Sequence, residues 1–265
     1  MYAGNTGSSF EINLPSDIDW RLWIDRWDHM QDWYIPHRRK RFELMMDLIE
    51  STQEVVKGVL DLGCGTGSLM LAALEKFPEA NVFGIDFDPT LLPLAEKRLF
   101  HFGERVRLIQ ADLRDDSWPK IVHGEINAVV SATALHWLSS EQLSRLYIQI
   151  GKILQPGGIF LNADHVCGSN SEIQAQWEKN RDRKRKEKIN NRADDWEGFW
   201  KDYGAALKID IQELRGKLEQ PWEGSEQGFP LQWHFEKLKV CGFNAIDCFW
   251  RCDCDAVFGG IRRRT

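Results

Sequence analysis

The strongest constraint in this chain is the run VLDLGCGTGSLM at residues 59–70, where an apolar strand pattern breaks into a glycine-rich turn and resumes as a helix pattern. Gly63, Gly65 and Gly67 stand at alternate positions in it. Glycine at this spacing permits positive φ and lets a ligand approach where any Cβ would collide. The turn also aims the amides of a helix N-terminus at that ligand. Such a unit needs a sheet to sit in, and the flanking sequence supplies one. From Val55 to Leu161 short β-branched runs alternate with amphipathic ones. Strands are expected near 57–62, 81–86, 105–110, 126–131 and 157–163, with helices over Ser68–Phe77, Pro89–Phe100 and Ser139–Leu154. In the last helix Leu143, Leu146, Tyr147, Ile150, Ile153 and Leu154 share one face. This alternation implies parallel strands with right-handed crossovers, that is, a doubly wound, Rossmann-like α/β fold.

The rest of the chain is arranged around that sheet. Residues 1–15 read as a frayed tail. Between Asp17 and Glu50 two helices are expected, with Trp20, Trp23, Trp27 and Gln31 at helical spacing before Pro36 interrupts the pattern. Residues 51–265 form the α/β domain, interrupted over 168–230 by an insertion of polar, Trp-bearing helices. A helix through Gln232–Val240 and strands near 244–251 and 255–260 complete the sheet.

Composition narrows the function classes. The net charge of −6 offers no general attraction for nucleic acid. No run of about 18 apolar residues appears, and no basic stretch followed by an apolar run opens the chain, so a cytoplasmic protein without membrane contact is expected. The six cysteines read as free thiols. Cys248, Cys252 and Cys254 lack the paired spacing of a zinc site, and no metal is expected.

The glycine turn departs from the dinucleotide fingerprint, because position 68 is Ser68 where a third glycine would stand. Asp61 inside the motif points instead to a ligand with a cationic amino-acid end, the alternative being that Asp61 merely caps the turn. The next strand ends in Asp86, where a carboxylate can accept from both hydroxyls of a ribose. Asp112 ends the following strand and could accept from an exocyclic adenine amine, with Phe87 and Leu113 as apolar walls. The carboxyl-end rim of an open α/β sheet is where ligands bind.

The ordered set DLGCGTG, GIDFDP, ADL, SATALHWL and LQPGGIFL resembles the motif series of class I S-adenosylmethionine-dependent methyltransferases, including the small-molecule branch of trans-aconitate methyltransferase-like enzymes. The resemblance covers roughly residues 55–165. It implies S-adenosylmethionine as cofactor, with methionine-end contacts near Asp61 and Gly63, ribose at Asp86, adenine near Phe87, Asp112 and Leu113, and a backbone contact near Ser131. It also implies a seven-stranded sheet with an antiparallel last strand, and N-terminal helices within residues 1–50 that cover the cofactor.

The acceptor side is located less sharply. His136 follows the fourth strand and could orient or deprotonate a nucleophile, or could merely hold its loop; Trp137 reads as a wall. Asp164 and His165 form a second polar cluster, either structural or over the substrate. Trp27, Gln31, Tyr34 and Arg38 fall on a single helical face if Pro36 does not disrupt it. Arg38 could pair with a methionine carboxylate, or belong to a solvated basic patch with Arg39, Lys40 and Arg41. The run EKNRDRKRKEK at 178–188 reads as a solvated charged helix. The segment PWEGSEQGFPLQW at 221–233 could be a lid over a small-molecule substrate or the interface of a homodimer. Competing readings are a methyltransferase acting on protein or RNA, weakened by the absence of an Asn-Pro-Pro-Tyr-like motif, and a non-catalytic protein that only binds the cofactor.

Overall fold

The computed structural model describes residues 14–189, 195–211, 213–214 and 223–264. The tail expected over 1–15 falls, up to residue 13, outside the described residues, as do 221–222 of the aromatic segment. The chain opens with α1 (Trp20–Tyr34) and α2 (Arg38–Thr52). The alternating part follows: β1 (Gly58–Leu62), α3 (Ser68–Lys76), β2 (Asn81–Asp86), α4 (Leu92–Leu99), β3 (Val106–Gln110), β4 (Ile126–Ala132), α5 (Ser140–Ile153) and β5 (Leu154–His165). Beyond it lie α6 (Ser171–Ile189), α7 (Trp196–Leu207), α8 (Leu231–Val240), β6 (Phe243–Cys252) and β7 (Asp255–Arg262).

The seven strands form one sheet in the order β3-β2-β1-β4-β5-β7-β6. β1 to β5 are mutually parallel, and β7 runs antiparallel to both β5 and β6. The order reverses between β1 and β4, the switch point at which two neighbouring connections leave in opposite directions and open a crevice. Strand side chains alternate between two buried faces. Val59, Val82, Val130 and Leu161 pack with α2, α3 and α4, whereas Leu60, Ile85, Val129 and Phe160 pack with α5 and α8.

Local sequence sets the limits of the helices. α5 starts at a reciprocal cap: Ser139 Oγ accepts from the Gln142 amide at 3.3 Å, and Gln142 Oε1 accepts from the Ser139 amide at 2.9 Å. Its buried face is Leu143, Leu146, Tyr147 and Ile150, as the periodicity predicts, while Leu154 already belongs to β5.

One open condition is settled and one expectation corrected. Pro36 does disrupt the face that Trp27, Gln31, Tyr34 and Arg38 would otherwise share, because α1 ends at Tyr34 and α2 restarts after His37, which takes a left-handed φ of 58°; the two helices joined near Pro36 are those expected. The insertion is also less polar than its composition suggests. α7 buries Phe199, Trp200, Tyr203 and Leu207 against Trp23, Trp27 and Met30 of α1 and Leu91 and Leu94 beside α4. Trp27 meets Phe199 and Trp200 with ring centroids 5.3 and 5.9 Å apart. Rings of this size supply much of a small cluster's apolar burial.

Candidate active site

Above the carboxyl ends of β1, β2 and β4 lies a cavity of about 570 Å³. Its floor is the glycine turn. Gly63 and Gly67 both take positive φ, at 72° and 76°. A Cβ on Gly63 would stand 2.5 Å from that of Ala134, and one on Gly67 would press against Leu99 at 3.0 Å. Gly63 and Gly65 line the cavity; Gly67 lies beneath it and lets α3 start against α4.

The strand tips bring the expected carboxylates together. Asp61 is 1% exposed, lines the cavity, and neither of its oxygens has a hydrogen-bond partner among the described residues. Burial, with the Asp86 charge as a second cause, pushes its carboxyl well above the usual range. A buried carboxyl without a donor is costly, so it calls for a cationic or donor-bearing group from outside. Asp86 accepts from the Gly65 amide at 2.7 Å and the Asp88 amide at 2.9 Å. Burial outweighs these bonds and raises its pKa to about 6. Phe87, Asp112 and Leu113 complete the next stretch of wall. Asp112 is held in plane by Arg114, whose Nε and Nη2 donate to its Oδ2 at 2.9 and 2.6 Å.

Ser131 does not reach the cavity: it is fully buried, and its hydroxyl donates to the Leu62 carbonyl at 2.6 Å. The backbone facing the cavity there belongs to Ala132, Thr133 and Ala134. Thr133 has a φ of 55°, a strained conformation for a β-branched residue.

The opposite wall joins His136 to Asp164, 28 positions away. His136 Nδ1 lies 2.7 Å from Asp164 Oδ1, and its amide donates to Oδ2 at 3.1 Å. The His165 amide also donates to Asp164, at 2.8 Å. Burial alone would raise the Asp164 pKa, but the His136 imidazole, its hydrogen bond and His165 hold the carboxyl well below the usual range. Asp164 itself does not line the cavity; His136, Trp137 and His165 do. Asp164 thus stands behind His136 and fixes its ring, leaving Nε2 for the cavity side.

The roof comes from α1, the α1–α2 joint and the insertion. Trp27, Gln31, Tyr34 and Arg38 all line the cavity despite the break at Pro36. Arg38 Nη1 lies 3.5 Å from Asp28 and 3.8 Å from Asp32, and burial lowers its pKa against their attraction. Trp196 and Glu226 contribute from the insertion; Glu226 belongs to the segment offered as a lid, whereas no local signal marks Trp196.

The sequence reading also misses a clamp between roof and floor. Asp28 accepts from both terminal nitrogens of Arg98, at 2.8 and 3.0 Å, and from Ser68 Oγ at 3.2 Å. Ser68, the residue that departs from the dinucleotide fingerprint, therefore ties the turn to α1.

The chain is similar in part to known proteins. The methyltransferase domain family matches residues 59–158. Trans-aconitate 2-methyltransferase of Acidovorax sp. (strain JS42) is 29% identical over 46% of this chain and 43% of that protein. Carboxy-S-adenosyl-L-methionine synthase of Campylobacter lari is 27% identical over 82% of each. The chain covers less than half the length of the first curated relatives that it matches. Among solved structures, the S-adenosylmethionine-dependent methyltransferase SibL shares the fold at 21% identity, with a TM-score of 0.55 over 84% of this chain and 55% of that one. Residues 59–158 are thus similar to a methyltransferase domain, and the sheet that contains them has the fold of the S-adenosylmethionine-dependent methyltransferase SibL.

Proposed function

We propose that this protein transfers a methyl group from S-adenosylmethionine to a small molecule, with His136 as the general base. The observation that carries the reading is the convergence, in one cavity, of a partnerless buried carboxyl at Asp61 with an imidazole held from behind by Asp164. The cofactor of the family fits the floor. Asp61 would take its ammonium, Asp86 the ribose hydroxyls, and Phe87, Asp112 and Leu113 the adenine, while Arg38 would face the methionine carboxylate. When bound, it supplies an electrophilic methyl carbon, whose bond to sulfur breaks as the bond to the acceptor forms. His136 Nε2 takes the proton that the acceptor loses, and Asp164 stabilises the resulting imidazolium. A base is needed only where the acceptor carries a proton, which favours a hydroxyl or amine over a carboxylate.

The roof would exclude water and align the acceptor, the main requirement of an in-line transfer. A cavity of about 570 Å³ suits a small molecule rather than a polymer, and the acidic balance of the chain speaks against nucleic acid. No helix among the described residues is long and apolar enough to cross a membrane.

Titration calorimetry with S-adenosylhomocysteine tests the cofactor half. Asp86→Ala should weaken binding by about 1 to 3 kcal/mol, since buried hydroxyl donors lose their acceptor. The charged carboxylate is the better acceptor, so wild-type affinity should fall as pH drops through about 6. The ligand-free fold has the opposite sign: burial disfavours the charge, and stability is lost as pH rises through about 6. Unchanged affinity in Asp86→Ala sinks the ribose assignment. A second reading, modification of the sulfonium nucleoside itself as the name of the Campylobacter lari relative describes, is favoured by the length of that alignment. Mass spectrometry of the nucleoside product separates the two.

A further inference from the structure

His136 is not the only imidazole held in this manner. His165 also lines the cavity, its ring centroid 4.8 Å from that of His136. Its Nδ1 lies 3.1 Å from Asp255 Oδ1, an arrangement parallel to that of His136 on Asp164. A carboxylate only accepts, so each Nδ1 carries a proton, and in the neutral ring each Nε2 presents a lone pair. Two acceptors side by side call for two donors from the ligand. A carboxylate or carbonyl on the acceptor would offer none.

The two carboxylates differ in what else they hold. Asp255 also receives Arg41 Nη1 at 3.2 Å, and the Arg41 side chain is 1% exposed. Its guanidinium therefore offsets the Asp255 charge inside the protein. Among the described residues Asp164 receives, besides His136, the amides of His136 and His165 and, at 3.4 Å, Asn162 Nδ2. The Arg41 charge also acts on Asp164, but without a hydrogen bond to it.

We propose that His165 is a second contact for the acceptor, and that the cavity selects planar acceptors with hydroxyls on two neighbouring carbons. This inference rests on the methyl-transfer reading above. Two hydrogen bonds of roughly 3 Å to rings 4.8 Å apart suit donors on adjacent carbons. A planar body suits the aromatic side chains of Trp27, Tyr34, Trp137 and Trp196 that line the same cavity.

The test measures binding of catechol, resorcinol, hydroquinone and phenol to the full chain loaded with S-adenosylhomocysteine. Catechol should bind about tenfold more tightly than the other three, and His165→Phe should erase that preference while keeping S-adenosylhomocysteine affinity. The wild-type comparison stands without any variant. His165→Gln, which keeps an amide near the second ring nitrogen, should retain part of the preference. Equal binding of the four, or binding of none, overturns the inference. A preference that survives His165→Phe overturns the assignment to His165. Methylation of phenol without a catechol preference leaves the methyl-transfer reading intact, whereas a wild-type chain that fails to bind S-adenosylhomocysteine removes that reading itself.

Discussion

The floor and the roof of the cavity are built by different means. The floor consists of strand tips and a glycine turn whose contacts run along the backbone: Gly63 and Cys64 both donate to the Ile85 carbonyl, at 2.8 and 3.0 Å. The roof is held by side chains from remote parts of the chain. Arg26 of α1 reaches Asp202 of α7 across 176 positions, at 2.8 Å, beside the aromatic cluster. A backbone-built floor keeps its shape through most substitutions, whereas a side-chain-built roof can part from it while the sheet stays folded. Cofactor affinity should therefore follow the floor, and acceptor handling the roof and the histidine wall.

The largest expected effect breaks chemistry away from both. His136→Gln should lower the turnover number about 10²- to 10⁴-fold, the usual worth of a positioned general base. Affinity for S-adenosylhomocysteine should stay within twofold or so, because no cofactor group is assigned to that ring; an equal loss in both would make His136 part of the floor. Next comes the floor itself. Gly63→Ala adds a methyl 2.5 Å from Ala134 Cβ at a φ of 72°, a strain of about 1 to 3 kcal/mol. Calorimetry should show cofactor affinity reduced at least about tenfold. Smaller again is the clamp: Asp28→Asn keeps the shape but removes the charge that holds Arg98 and Ser68. With Asp28 about a third exposed, a loss of about 1 kcal/mol is expected. It should appear as faster cofactor release in stopped-flow measurements rather than as a lower melting temperature.

The same contrast explains what the sequence makes legible. Every strand of the sheet can be located from β-branched runs and glycine or proline breaks, because those signals act over a few residues. Asp61, Asp86 and Asp112 are found because each ends a strand, and strand tips in this topology converge. His136 with Asp164, and His165 with Asp255, are separated by 28 and 90 positions. The second pairing depends on the register of β5 against β7, which sets His165 opposite Asp255, and no local pattern encodes either. α7 is misjudged for a related reason. Its Trp and Phe residues sit among glycine and charge, and only α1, far upstream, gives them a surface to cover.

Ser131 sharpens the comparison from the small end. The motif resemblance implies a backbone contact with the cofactor near it, and its hydroxyl donates inside the sheet to the Leu62 carbonyl at 2.6 Å. Ser131→Ala removes that bond and leaves one buried carbonyl short of a donor, which should cost about 0.5 to 1.5 kcal/mol of stability in a urea titration. Cofactor affinity should not change, since Ala132, Thr133 and Ala134 present the backbone that faces the cavity and the variant leaves them in place. A several-fold loss of S-adenosylhomocysteine affinity at unaltered stability would put Ser131 back in the floor. It would also mean that β4 moves when the cavity fills, because only a shift of that strand could bring a fully buried hydroxyl into contact with the cofactor.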